Sequence, residues 1–125
     1  MDVTPRSAGG RQVVNAYGNG GFRVAGVTHK GSLLVLPERV FAWPVASMAE
    51  LTLESLTPLL DAGAGTEILL IGCGPSIAFI PRALREALRA SGFAVDGMDT
   101  GAACRTYNVL LAEDRRVAAA LIAVP

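Results

Sequence analysis

Two stretches of this chain carry residue types able to do chemistry. They are Gly72-Cys73-Gly74-Pro75-Ser76 and the run from Met98 through Asp99, Thr100, Cys104, Arg105 and Tyr107 to Asn108. A candidate ligand or interaction site drawn from them comprises Gly72, Cys73, Gly74, Asp99, Thr100, Cys104, Arg105, Tyr107 and Asn108. The first stretch has the outline of a phosphate cradle, which needs backbone N–H groups at a turn and a helix beginning at once. Pro75 removes one donor, Ile77 stands where a third glycine belongs, and the helix starts only near Pro81, so Asp96 alone does not make a dinucleotide fingerprint. The second chemistry is redox, because C-G-P-S is half of a C-x-x-C motif. Ser76 replaces the resolving thiol, so a two-thiol cycle cannot close locally. Cys73 is then either a monothiol nucleophile or a structural turn thiol.

The run from Met98 places small residues and a thiol at a helix start directly after a strand. The helix dipole there would lower a thiol pKa or hold an anion, and Asp99 as a capping carboxylate would fill the same role. Arg105, Tyr107 and Asn108 could converge at the strand ends, or Arg105 could pair with Asp99 and brace the turn. His29, the single histidine, has no partner at triad or metal-ligand spacing and reads as an exposed residue on a hairpin tip.

These residues must be positioned by a folded body. A 51% hydrophobic and 18% charged composition excludes a disordered chain. One domain is expected from 125 residues. Eleven basic and eleven acidic side chains cancel, so no net field favours nucleic acid or an anionic membrane. Arg82, Arg85 and Arg89 cluster and could meet an acidic partner, or form a solvated face. Two cysteines are too few for a disulfide framework and fit buried thiols in a reducing compartment. No apolar run approaches the roughly 18 residues of a membrane span, and no apolar signal core opens the chain. A cytoplasmic protein is expected, with no cofactor and no metal.

The organising unit is the stretch 67–92, a buried strand, a glycine-rich turn and an amphipathic helix. Ile68 to Ile71 are apolar without alternation, as a strand covered on both faces requires. Leu84 and Leu88 face inward on the helix while Arg82, Glu86 and Arg89 face solvent. Phe93 to Met98 forms the next strand. Asp99 or Thr100 caps a helix burying Ala103, Tyr107, Leu110 and Leu111, and Val117 to Val124 is a final apolar strand. This β-α-β-α-β order marks a three-layer α/β domain. Before it, residues 1–12 read as a flexible tail and 13–125 as the domain. Val13, Val14 and Tyr17 suggest a first strand, and Gly18-Asn19-Gly20-Gly21 a tight turn or bulge. Phe22 to Trp43 reads as an antiparallel meander with a bulge or a close backbone approach at Gly26 and a hairpin turn at His29-Lys30-Gly31-Ser32. Residues 51–62 read as a helix capped by Thr52, ended near Gly63, and started late because of Pro58.

Three runs carry a further signal: GSLLVLPERVFAW (31–43), EILLIGCG (67–74) and MDTGAACRTYNVLLAEDRRVAAALI (98–122). With them the chain resembles the domain-of-unknown-function 498 family, the Mth938-like domains, which includes a mitochondrial respiratory complex I assembly factor and small bacterial and archaeal proteins. LTLESL at 51–56 is similar to the family's L-T-P-E-S-L, with Leu53 in place of proline. The resemblance covers nearly everything from Phe22 onward. It implies a three-layer α/β fold with a mixed central sheet and no established catalytic residues. It also implies a role through protein contacts, linked to complex I assembly. The expectation is therefore a non-enzymatic interaction or assembly-factor domain whose partner is another protein, with a homodimer left open. The competing expectation is a small-molecule or monothiol redox site formed by the turn 72–76 and the helix start 99–108.

Overall fold

Apolar side chains alternate between two separate clusters along the strands, and this alternation builds the molecule. The computed structural model describes residues 11–125. A five-stranded sheet runs in the order β5-β4-β8-β6-β7, from β4 (Ser32–Val35), β5 (Val40–Trp43), β6 (Ile68–Gly72), β7 (Ala94–Met98) and β8 (Val117–Leu121). A smaller sheet has the order β1-β2-β3, from β1 (Val14–Gly18), β2 (Gly21–Val24) and β3 (Val27–Lys30). The helices are α1 (Thr57–Ala62), α2 (Arg82–Ala90) and α3 (Thr100–Ala112).

In the large sheet, β6 pairs parallel with both β7 and β8, while β4 pairs antiparallel with β8 and β5. Leu69 and Ile71 of β6, Ala118 and Ala120 of β8 and Leu34 of β4 point to one face, against Leu56, Leu59, Leu84 and Leu88 of the α1 and α2 region. Leu70, Ala119, Leu33 and Val35 point to the other, against Ala103, Cys104, Tyr107 and Leu111 of α3 and Val14, Phe22 and Val24 of the small sheet. The uninterrupted apolar runs follow from this arrangement. A strand buried on both faces cannot use polar residues at every second position. The central strand is β8, all of whose residues are buried. Its small Ala118-Ala119-Ala120 core lets layers approach closely from either side.

The chain winds from β6 through α2 outward to β7, then through α3 back across β6 to β8. Reversing direction carries the two helices to opposite faces, as the consistent hand of parallel crossovers demands. The mixed three-layer expectation therefore holds.

The expected meander is divided. Its first half joins β1 in the small sheet, and its second half forms the antiparallel edge of the large one. Gly26 is not a bulge: Ala25 (φ 49°) and Gly26 (φ 82°) are the two positive-φ residues of a tight hairpin turn between β2 and β3. The stretch at 29–32 is not a hairpin turn either. His29 lies within β3 opposite Phe22, half-buried, and Gly31 (φ 83°) is the hinge where the chain leaves one sheet for the other. Helix α1 does start late, after a 3-10 turn at Glu54–Leu56, with Pro58 in its first turn, where a missing N–H costs nothing. Thr52 and Ser55 bond reciprocally at the entry to that turn, each hydroxyl accepting the other's backbone N–H at 3.1 Å.

The tail expected at 1–12 falls largely outside the described residues. Of its last two positions, Gln12 is buried and its N–H donates to the Pro37 carbonyl at 2.9 Å, and Arg11 pairs with Asp114 and donates to the Leu111 carbonyl.

Candidate functional site

The carboxyl ends of β6 and β8 meet the start of α3 at one buried residue, Thr100, which is 0% exposed. Its hydroxyl donates to the Ile122 carbonyl at 2.7 Å and accepts the Gly74 N–H at 3.0 Å. Its own N–H donates to the Gly74 carbonyl at 2.9 Å. The Ile122 N–H donates to the Gly72 carbonyl at 3.0 Å, and the Cys73 N–H to the Met98 carbonyl at 2.8 Å. Gly72 is required by contact: a Cβ there would lie 3.0 Å from Thr100 Oγ1 and 3.1 Å from its Cα. Gly74, at φ 107°, turns the chain back toward this joint. In open α/β sheets the crevice at these strand ends holds a ligand. Here one threonine side chain and the backbone it binds occupy the crevice and satisfy each other.

Asp99 caps α3, its carboxylate accepting the Ala102 N–H at 3.3 Å. Gly72, Gly74, Asp99, Thr100 and the Cys73 backbone are thus brought together; the Cys73 side chain and the other four candidates are not. Cys73 is buried on the α1 and α2 side, its Sγ 3.7 Å from the carbonyls of Ile71 and Ala78. Cys104 is buried on the opposite face of the sheet, in the cluster of α3 and the small sheet. The expected lowering of a thiol pKa by the helix start is reversed at Cys104. Burial pushes it up to about 12, Asp99 adds to the rise, and Arg105 opposes it only partly. A thiol inside an apolar cluster is penalised for ionising far more than a dipole rewards it.

Arg105 is exposed and donates to the Tyr17 hydroxyl at 3.2 Å; among the described residues it forms no ion pair with Asp99. The Tyr17 ring lies over Gly101, where a Cβ would sit 2.5 Å from its hydroxyl oxygen. Tyr107 is buried in the apolar cluster of α3 and the small sheet. Its hydroxyl has no hydrogen-bond partner among the described residues, and burial raises its pKa against the opposing charge of Arg11. Asn108 imitates a strand neighbour. Its Nδ2 donates to the Val14 carbonyl at 2.8 Å and its Oδ1 accepts the Val14 N–H at 2.9 Å, pinning β1 to α3. No three His, Cys, Asp or Glu side chains gather as a metal set among the described residues.

What composition did not single out is the loop joining β6 to α2. Phe79 is 98% exposed and Ile77 69% exposed, while Ile80 between them and the helix is buried. Ile80 fits over Gly97 of β7, where a Cβ would come within 2.9 Å of its Cδ1. Alternation in S-I-A-F-I-P was the available signal, but it reads equally well as a strand. The arginines nearby are partly committed. Arg85 donates to the outward carbonyl of Val95 at 2.8 Å, which blunts the free edge of β7, and Arg82 pairs with Glu86 on the helix surface.

A three-layer α/β body with a mixed sheet is the architecture of the Mth938-like domains. A solved structure of a Bordetella pertussis protein described as a Mth938-like domain matches with a TM-score of 0.80 at 32% identity, over 98% of this chain and 92% of that one. A Bartonella henselae structure described as an outer membrane protein matches at TM-score 0.86 and 43% identity, over 93% and 98%. The family model described as a protein of unknown function (DUF498/DUF598) matches residues 14–122, and the chain belongs to that family. An uncharacterised Rhodobacter capsulatus protein is 38% identical over 98% of this chain and 95% of its own length. The Danio rerio NADH dehydrogenase [ubiquinone] 1 alpha subcomplex assembly factor 3 is 33% identical, over 100% of this chain and 72% of its own length. Among the described residues no helix is long and apolar enough to cross a membrane.

Proposed function

We propose that this chain is a protein-interaction domain of the assembly-factor kind, working by contact rather than by catalysis. Its docking element is the loop that carries Ile77 and Phe79. The exposure of Phe79 is the observation that carries this reading. Burying a phenylalanine side chain stabilises by roughly 2–3 kcal/mol, so a fold that holds one in water forgoes that contribution. The loop is supported from beneath by Ile80 and Cys73, which keeps the ordering entropy of docking low. The candidate residues at the strand ends give the alternative small-molecule or redox reading little support, because their polar groups are spent on one another and the two thiols lie in opposite clusters. The relatives named as complex I assembly factors support an assembly role linked to a respiratory complex. Two buried, unpaired thiols favour a reducing compartment, the cytoplasm.

The test is an affinity pull-down from the native host, comparing the wild-type chain with Ile77→Ser/Phe79→Ser, with light scattering on the purified chain alongside. A protein partner retained by the wild type and lost by the variant is expected. A co-purifying metabolite with no protein partner would overturn the reading. A stable dimer broken by the same variant would make the partner a second copy.

A further inference from the structure

A second concavity lies at the opposite end of the large sheet from Thr100. It is a cleft of about 310 Å³ between the β4–β5 turn, the loop after α1 and the turn entering β8. That size is at the lower end of small-molecule sites, which run from roughly 300 to 1,000 Å³. We propose that it binds a small organic oxyanion, a phosphate or carboxylate compound, through Arg39, Arg115 and Arg116.

Three arginines from two sequence-distant segments line this cleft, and Glu38 is the acidic residue among its described lining. Asp114, the acidic neighbour of Arg115, is engaged by Arg11. The ion pairs among the described residues are Arg11–Asp114 and Arg82–Glu86, so Arg39, Arg115 and Arg116 have no carboxylate partner there. The guanidinium of Arg39 lies over the Phe41 ring, 5.0 Å from its centroid, which restrains it. Arg116 rests on Gly65 (φ 86°), where a Cβ would sit 3.4 Å from its Nη1. A side chain at Gly65 would strain the backbone, which adopts a conformation that favours glycine. Leu36, Pro37 and Ala62 offer an apolar wall for the organic part of a ligand.

Like charges gathered in a concave site repel and concentrate counter-ions, and a bound anion relieves that repulsion. The planar arginine fork suits both phosphate and carboxylate oxygens, so the two sources are separated by experiment. This end of the sheet shares no residue with the Ile77–Phe79 loop, so the inference stands or falls separately from the interaction reading.

The test uses the full chain, labelled with ¹⁵N and titrated separately with sodium pyrophosphate and sodium citrate at ionic strength held constant with sodium chloride. Saturable shifts at the Gly65, Thr66 and Arg116 amides are expected, with Gly74 and Thr100 unmoved. Affinity should fall about tenfold in Arg39→Gln and in Arg116→Gln. Both residues are exposed, and an unchanged melting temperature verifies that the variants fold. Saturation by pyrophosphate assigns phosphate chemistry; saturation by citrate alone assigns carboxylate chemistry. Linear drift without saturation, or affinity unchanged in both variants, overturns the proposal.

Discussion

Replacing Thr100 by valine keeps the shape of the side chain and removes one oxygen atom. In the native protein that oxygen donates to the Ile122 carbonyl and accepts the Gly74 N–H, at 2.7 and 3.0 Å, with no exposure to water. Thr100→Val therefore leaves a buried donor and a buried acceptor without their partner, across the joint between β6, β8 and α3. Each orphaned group costs about 1–3 kcal/mol, so the pair should cost roughly 2–6 kcal/mol. For a domain of this size, each kcal/mol moves the melting temperature by about 4 °C, which puts the expected loss at about 8–24 °C. Thr100→Ser is the control. It keeps the hydroxyl and loses one methyl, with an expected cost of about 1 kcal/mol. Denaturant unfolding of the three proteins, with amide exchange at Gly74 as the local probe, measures both differences. Equal losses in Val and Ser, or a Val variant within about 0.5 kcal/mol of wild type, would show that packing rather than this hydrogen-bonded joint holds the layers together.

Three further outcomes follow from the same geometry. Cys104 is neutral in the folded state up to about 12 against an ordinary value of 9.0. The unfolded chain therefore releases its proton first, and stability falls as pH rises from about 9 toward 12; Tyr107, also shifted upward, acts in the same sense. Unfolding free energies across that window should flatten in Cys104→Ala relative to wild type. Both thiols are buried, so alkylation by iodoacetamide at neutral pH should be slow in the native protein and fast in denaturant; rapid native modification would restore the redox reading. Asn108→Ala removes both bonds to the Val14 backbone and should cost about 1–3 kcal/mol, with amide exchange accelerating first in β1.

The layers and their order were legible because they depend on local pattern. The run Ile68–Ile71, the Leu84 and Leu88 spacing, the Asp99 cap and the apolar 117–124 stretch each state a secondary element and its burial through side-chain type alone. The three-layer α/β class followed from their order along the chain. The site is less legible. Gly72, Gly74 and Thr100 are residue types able to hold a ligand, and the same types at the same spacing also join β6, β8 and α3. A hydroxyl beside glycines looks alike in both roles until its partners are known.

Sequence, then, determined most of the strands and helices, since periodicity and capping act within a few residues. What it left open was the pairing of distant backbones and the side of the sheet each residue meets. Whether 29–32 closed a hairpin or crossed between two sheets depended on β4 finding β8 some ninety residues away. Whether the thiol at a helix start became acidic or inert depended on the small sheet covering Cys104. The exposure of Phe79 depended on Ile80, not its neighbour, fitting over Gly97. Each is a contact between segments remote in the chain, and such contacts leave no periodic trace in the residues that make them.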